Sequence, residues 1–234
     1  MQTDRRMRVS EISEPATAPA LKMPARQFPG YSSLANAVRL MGAVISYGRN
    51  QEVYGEDEPA EFVYMVACGA IRTYKLLSDG RRQIAAFRLP GDIFGLEVGH
   101  THVFTAEAIA NSEVIVVKRS AIMALAARDS LIARDMWAAT AGDLVRAQDL
   151  LLLLGRRNAQ ERVATFLLEM SDRVADGEMI DLPMSRQDIA DYLGLTIETV
   201  SRTLSQMEHS ATIVLSTCRR IELRNRAVLS RLNS

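Results

Sequence analysis

Cysteine is nearly absent from this 234-residue chain, with Cys68 and Cys218 standing alone. Two thiols 150 positions apart make neither a metal-ligand spacing nor a disulfide framework, so the expected setting is a reducing cytoplasm. Long apolar runs are lacking too. The longest leucine stretch, at 150–154, is far below the ~18–20 residues of a membrane span, and no signal-peptide core opens the chain. No membrane partner is expected. Net charge of one sign is also missing, since 28 basic residues meet 28 acidic ones. Nothing global therefore announces nucleic acid or lipid, and any charged face has to be local. No P-loop, nucleophile–base pair or spaced pair of acids occurs, so enzymatic chemistry is not expected.

What is present begins with Leu182–Met207, LPMSRQDIADYLGLTIETVSRTLSQM. Two short helical patterns meet here at Gly194. Ile189, Ala190 and Leu193 share one face of the first; Val200, Leu204 and Met207 share one face of the second. Ser185 with Asp188 forms a capping-box-like start, and Thr196 is a good N-cap. The outer face of the second helix carries Glu198, Ser201 and Arg202 at i, i+3 and i+4. An arginine there can donate two hydrogen bonds to guanine, and a glutamate can accept from the cytosine amino group. The plainer alternative is a solvated face whose Glu–Arg pair is worth about 0.2–0.5 kcal/mol. The helix–glycine–helix frame favours the base-reading interpretation.

The string ETVSR inside GLTIETVSRTLSQ resembles the recognition helix of the CRP/FNR family of bacterial transcription regulators, most closely its FixK branch. In that branch the Glu, Ser and Arg of E-x-x-S-R read a TTGA half-site. The resemblance thus assigns base reading to Glu198, Ser201 and Arg202, with Ile197 and Thr196 beside them. Arg186 and Arg220 are the expected phosphate contacts. From Ser201 to the end six arginines face two glutamates, a local basic excess suited to that role.

The rest of the chain reads in keeping. Residues 1–30, rich in Pro, Ala and Arg, suggest a flexible arm. FNR-type relatives carry iron–sulfur cysteines in this arm; here there are none, so no cluster and no other cofactor is expected. Across 31–120, short apolar runs separated by Ser78-Asp79-Gly80 and Leu89-Pro90-Gly91-Asp92 imply an antiparallel β-roll. Its phrasing resembles the family's cyclic-nucleotide-binding fold. Cyclic-nucleotide binders place an arginine in the segment after FG to neutralise the phosphate. Gly95–Thr105 holds Glu97 but no arginine, so no cyclic nucleotide is expected. One alternative keeps a haem or small-ligand effector in the roll. Another, of a different class, takes His100, His102 and Glu107 as a cupin-like metal site fused to a DNA-binding tail. No metal is expected, because a fourth ligand is missing.

Over 121–157 a long helix carries Trp137, Thr140, Leu144, Ala147, Leu151 and Leu154 at spacings of three and four, the seam of a homodimer. Leu150 and Leu153 are expected to pack within the chain instead. Gly155–Asn158 reads as a hinge. Residues 158–234 then give a helix, a turn and short strand from Asp176, the helix-turn-helix, and a hairpin about Ser216-Thr217, a winged helix. In that wing Cys218, flanked by Arg219 and Arg220, is a candidate redox-sensitive thiol. The expected fold class is α+β: β-roll, long dimerisation helix, C-terminal winged helix-turn-helix. The expected protein is a homodimeric activator that binds a TTGA-n6-TCAA-like palindrome without an effector and recruits RNA polymerase.

Overall fold

Gly- and Asp-rich turns cut the apolar runs of the first half into strands, as a computed structural model shows. It describes residues 32–97, 99–156, 158–174 and 179–232. The arm expected over 1–30 and the turn expected at 176–178 lie outside the described residues. The chain runs α1 (Ser32–Met41), β1 (Ala43–Tyr47), β2 (Glu52–Tyr54), β3 (Phe62–Cys68), β4 (Ile71–Leu76) and β5 (Arg82–Arg88). It continues with β6 (Ile93–Phe94), β7 (Thr105–Ala108), β8 (Ser112–Lys118), α2 (Arg119–Ala126) and α3 (Ser130–Arg156). The second half holds α4 (Ala159–Val174), β9 (Met179–Asp181), α5 (Arg186–Leu193), α6 (Ile197–His209), β10 (Ile213–Leu215), β11 (Arg220–Leu223) and α7 (Arg226–Leu232).

Two antiparallel four-stranded sheets, ordered β1-β8-β3-β6 and β2-β7-β4-β5, make the roll. Tyr54, Tyr64, Val66, Ile71, Phe94 and Val114 fill the space between them. The unbroken apolar run of β3 follows from its position, because both faces of its sheet are covered. Val63, Met65, Ile115 and Val117 pack outward beneath Leu34 and Val38 of α1, Ile122 of α2 and Ile132 of α3.

The helix α1 falls inside the stretch expected to be β-roll. Its first turn is closed from far away: buried Asp135 of α3 accepts from the backbone N–H of Ser33 (2.9 Å) and Leu34 (3.2 Å). A cap borrowed from a hundred residues downstream leaves no local signal. The long helix is also interrupted. After α2 the chain turns at 127–129, and Asp129 restarts it by accepting from the Leu131 N–H at 2.9 Å. Helix α3 continues through Gly155 to Arg156, so the break falls just beyond that glycine.

The winged helix packs on the outer face of the second sheet. Ala70, Ile84, Phe87, Leu89 and Ile109 of the roll join Phe166, Tyr192, Leu193 and Leu204 in one apolar core, which Leu153 of α3 also enters. Phe87 lies 5.2 Å from Tyr192 and 6.2 Å from Phe166 between ring centroids.

Candidate nucleic-acid interface

Helix α5 begins with a complete capping box: the Ser185 hydroxyl accepts from the Asp188 N–H, and the Asp188 carboxylate accepts from the Ser185 N–H. It ends at Gly194, whose φ of 60° and ψ of 40° lie in the left-handed region that a side chain would resist. Thr196 then caps α6, accepting from the Thr199 N–H at 3.2 Å. One face of α6 buries Val200, Thr203, Leu204 and Met207. The other carries exposed Ile197, Glu198 and Arg202, with Ser201 half-buried between the two.

Glu198 is held ionised below the usual carboxylate range, first by its own backbone N–H and the Thr196 hydroxyl, with the Arg202 charge adding. Among the described residues neither Glu198 nor Arg202 forms an ion pair. Both charges therefore face outward from the first turns of α6, where hydrogen-bonding groups have to point to meet base edges.

The remaining sequence-predicted residues surround this helix unevenly. Arg186 is half-buried at the start of α5, and Arg220 is exposed at the start of β11. The wing is a three-stranded sheet, with β11 paired to β10 and to β9. Exposed Cys218 sits in its turn. Cys68 is half-buried, and burial pushes its thiol pKa up. Two arginines of the basic stretch, both exposed, have acidic neighbours. Arg226 turns back to Ser171 (2.7 Å) and Asp172 of α4, and Arg224 reaches Glu222 at 3.4 Å.

On α3, Trp137, Leu144 and Leu151 are 76%, 59% and 71% exposed, spaced seven apart along one face. Thr140 and Ala147 are exposed on the same stripe, while Leu154 is half-buried and Leu153 fully so. Asp143, beside the seam, turns to Arg88 of the roll at 2.7 Å and to Arg146 along the helix.

Inside the roll His102 is fully buried and stacked on Tyr54, ring centroids 3.6 Å apart, with Tyr64 at 6.0 Å. Its Nδ1 lies 3.4 Å from Glu97. Arg119 ties down the same loop by donating to the carbonyls of Glu97, Gly99 (2.9 Å) and Ala60 (3.2 Å). His100 is exposed, and Glu107 is paired with Arg72, so the three residues of the cupin-like alternative do not converge. Among the described residues no cluster of three or more His, Cys, Asp or Glu is placed to hold a metal. No helix of the described residues is long and apolar enough to cross a membrane.

Sequence reasoning missed His102 as a core residue, because a histidine in a polar-looking loop carries no burial signal. It missed Arg119 because that arginine works through backbone carbonyls.

Comparisons with known proteins agree with this architecture. Residues 161–232 match the Crp-like helix-turn-helix domain, and residues 44–129 match the cyclic nucleotide-binding domain. The nitrogen fixation regulation protein FixK of Azorhizobium caulinodans is 49% identical over 205 residues, covering 86% of this chain and 83% of that protein. The transcriptional activatory protein AadR of Rhodopseudomonas palustris is 45% identical over 176 residues, 73% of each chain. The solved structure of FixK2 from Bradyrhizobium japonicum is 57% identical and superposes with a TM-score of 0.81, covering 83% of this chain and 98% of that one.

Proposed function

This chain belongs to the CRP/FNR family of DNA-binding transcription regulators, and from that premise we propose that it binds a TTGA-n6-TCAA-like palindrome as a homodimer, needs no small-molecule effector, and activates transcription by recruiting RNA polymerase. The observation that carries the reading is α6: one face buried in the core, the other offering Glu198 and Arg202 unpaired by any ion bridge among the described residues. In this reading Arg202 and Glu198 discriminate bases, and Ser201, Ile197 and Thr196 add contacts beside them. Arg186 and Arg220 hold phosphates.

The exposed stripe Trp137–Leu144–Leu151 supports dimerisation. A chain leaving three large apolar side chains at heptad spacing in water gains by covering them with a second copy. Two-fold symmetry then calls for a palindrome whose half-sites lie about one helical turn apart. The filled roll interior and the absence of an arginine between Gly95 and Thr105 favour effector-free binding. An activator role rests on the likeness to AadR, described as an activatory protein.

Selection of bound sequences from random duplexes, with and without added cyclic nucleotide, tests the core of this. A TTGA-type palindrome enriched equally in both arms is expected. Arg202→Ala should then cost about 1–3 kcal/mol and relax the preference at one position, while Arg220→Ala should weaken all sequences alike. Equal, sequence-independent losses for both variants refute the assigned roles.

A further inference from the structure

We propose that a buried ion cluster between the β-roll and α5, centred on Asp188, sets the angle at which the recognition helix is presented, and thereby the half-site spacing that the dimer accepts. The inference rests on the palindrome reading above and deepens it.

Arg72 of β4 is only 7% exposed. One of its terminal nitrogens bonds Glu107 of β7, and the other donates to Asp188 Oδ1 at 2.6 Å. Arg82 of β5 donates to the same Asp188 oxygen at 2.9 Å and, through Nε, to Asp191 of α5 at 2.9 Å. Asp188 Oδ2 accepts from the Ser185 N–H (2.9 Å) and hydroxyl (2.6 Å), closing the α5 cap. The other Asp191 oxygen accepts from Gln187 at 2.6 Å, and the Tyr74 hydroxyl donates to Glu107 at 3.0 Å. Both guanidiniums lie within 6 Å of the Tyr74 ring, at 5.9 and 5.5 Å.

A single carboxylate thus starts α5 and anchors it to two strands of the other domain. Burying such charges brings little net stability, since an apolar cluster of equal volume does as well or better. What they supply is direction. Charge-assisted hydrogen bonds tolerate only small errors in distance and angle, whereas the neighbouring contacts of Phe87 with Tyr192 and Phe166 can slide. Helix α6 follows α5 across a three-residue turn, Gly194 to Thr196, that opens on a left-handed glycine and closes on the α6 cap, so the tilt of α5 becomes the tilt of the base-reading face. In a two-fold dimer that tilt decides where the second half-site must lie. One base pair of spacing error rotates a half-site by about 34°.

The variant that tests this is Asp188→Asn, which retains an oxygen for the cap but loses the charge. Arg82→Gln, at the outer edge of the cluster, is its partner in case the first fails to fold. Affinity is measured for a lone half-site and for palindromes with the preferred spacer and spacers one base pair shorter and longer. Half-site affinity and base preference should stay at the wild-type level, while discrimination between spacers falls about tenfold. An unchanged spacer profile in both variants overturns the inference alone. So does an equal loss on every duplex, the half-site included, because that marks a merely structural role. A wild-type chain indifferent to spacing overturns both this inference and the palindrome beneath it.

Discussion

The roll interior and the outer stripe of α3 are both apolar, yet one is closed and the other left open. Between the sheets, Tyr54, Tyr64, Phe94 and His102 occupy the space with their own rings, Tyr54 lying 5.0 Å from Tyr64 and 6.1 Å from Phe94. Burial raises the pKa of both tyrosine hydroxyls, as expected of rings withdrawn from water. On α3, Trp137, Leu144 and Leu151 stand in solvent. One surface is covered within the chain, and the effector-free proposal rests on it; the other is left wet at heptad spacing, and the homodimer proposal rests on that. The difference teaches where each proposal can be tested, ligand-free packing in the roll and self-association on α3.

The largest effect should come from closing the open surface with charge. Leu144→Glu with Leu151→Glu is expected to give monomers by sedimentation and to weaken palindrome binding by about 100-fold or more, with half-site binding retained. A dimer surviving both changes would mean that the stripe is not the seam. Opening the closed surface should come next. Tyr54→Ala is expected to destabilise the fold by about 3–5 kcal/mol in urea melts, as ring deletions in cores do. The unaltered protein should show no shift of melting temperature with cyclic nucleotide, and a clear stabilisation would overturn the self-filled interior.

The smallest effect concerns the contact that joins the roll to the winged helix. Burial works to raise the Asp188 pKa, but the Ser185 hydrogen bonds and the Arg72 and Arg82 charges outweigh it, leaving the carboxyl below its ordinary 3.8. A group depressed in the folded state contributes stability above its unfolded value and loses it as pH falls through the folded one. The melting-temperature difference between the wild type and Asp188→Asn should therefore hold steady from pH 7 to about 5 and disappear only below 3.8. A difference that vanished near pH 6 would point to another titrating group.

Much of the helix-turn-helix was legible residue by residue. Ser185, Asp188, Gly194 and Thr196 act within four positions of the backbone they cap or turn, and Val200, Leu204 and Met207 repeat at helical spacing, so each signal is local. The hairpin about Ser216-Thr217 is legible for the same reason. Helix α1 was not, because its cap comes from Asp135. The cluster at Asp188 was not either. Arg72 and Asp188 lie 116 positions apart, and nothing in either neighbourhood distinguishes an arginine bound for the core from one bound for solvent. The arginine count from Ser201 onward carried no sign that Arg226 reaches back to Ser171 and Asp172 of α4, because those partners lie over fifty positions away.

By itself, the amino-acid order determined the kinds of element, the capped corner between α5 and α6, and the heptad stripe, all written in periods of two to seven residues. Only the tertiary structure decided that the roll is filled by its own rings and that its second sheet grips the start of α5. Those outcomes depend on side chains that distant strands bring within 4 Å of one another, and no local pattern encodes such a meeting.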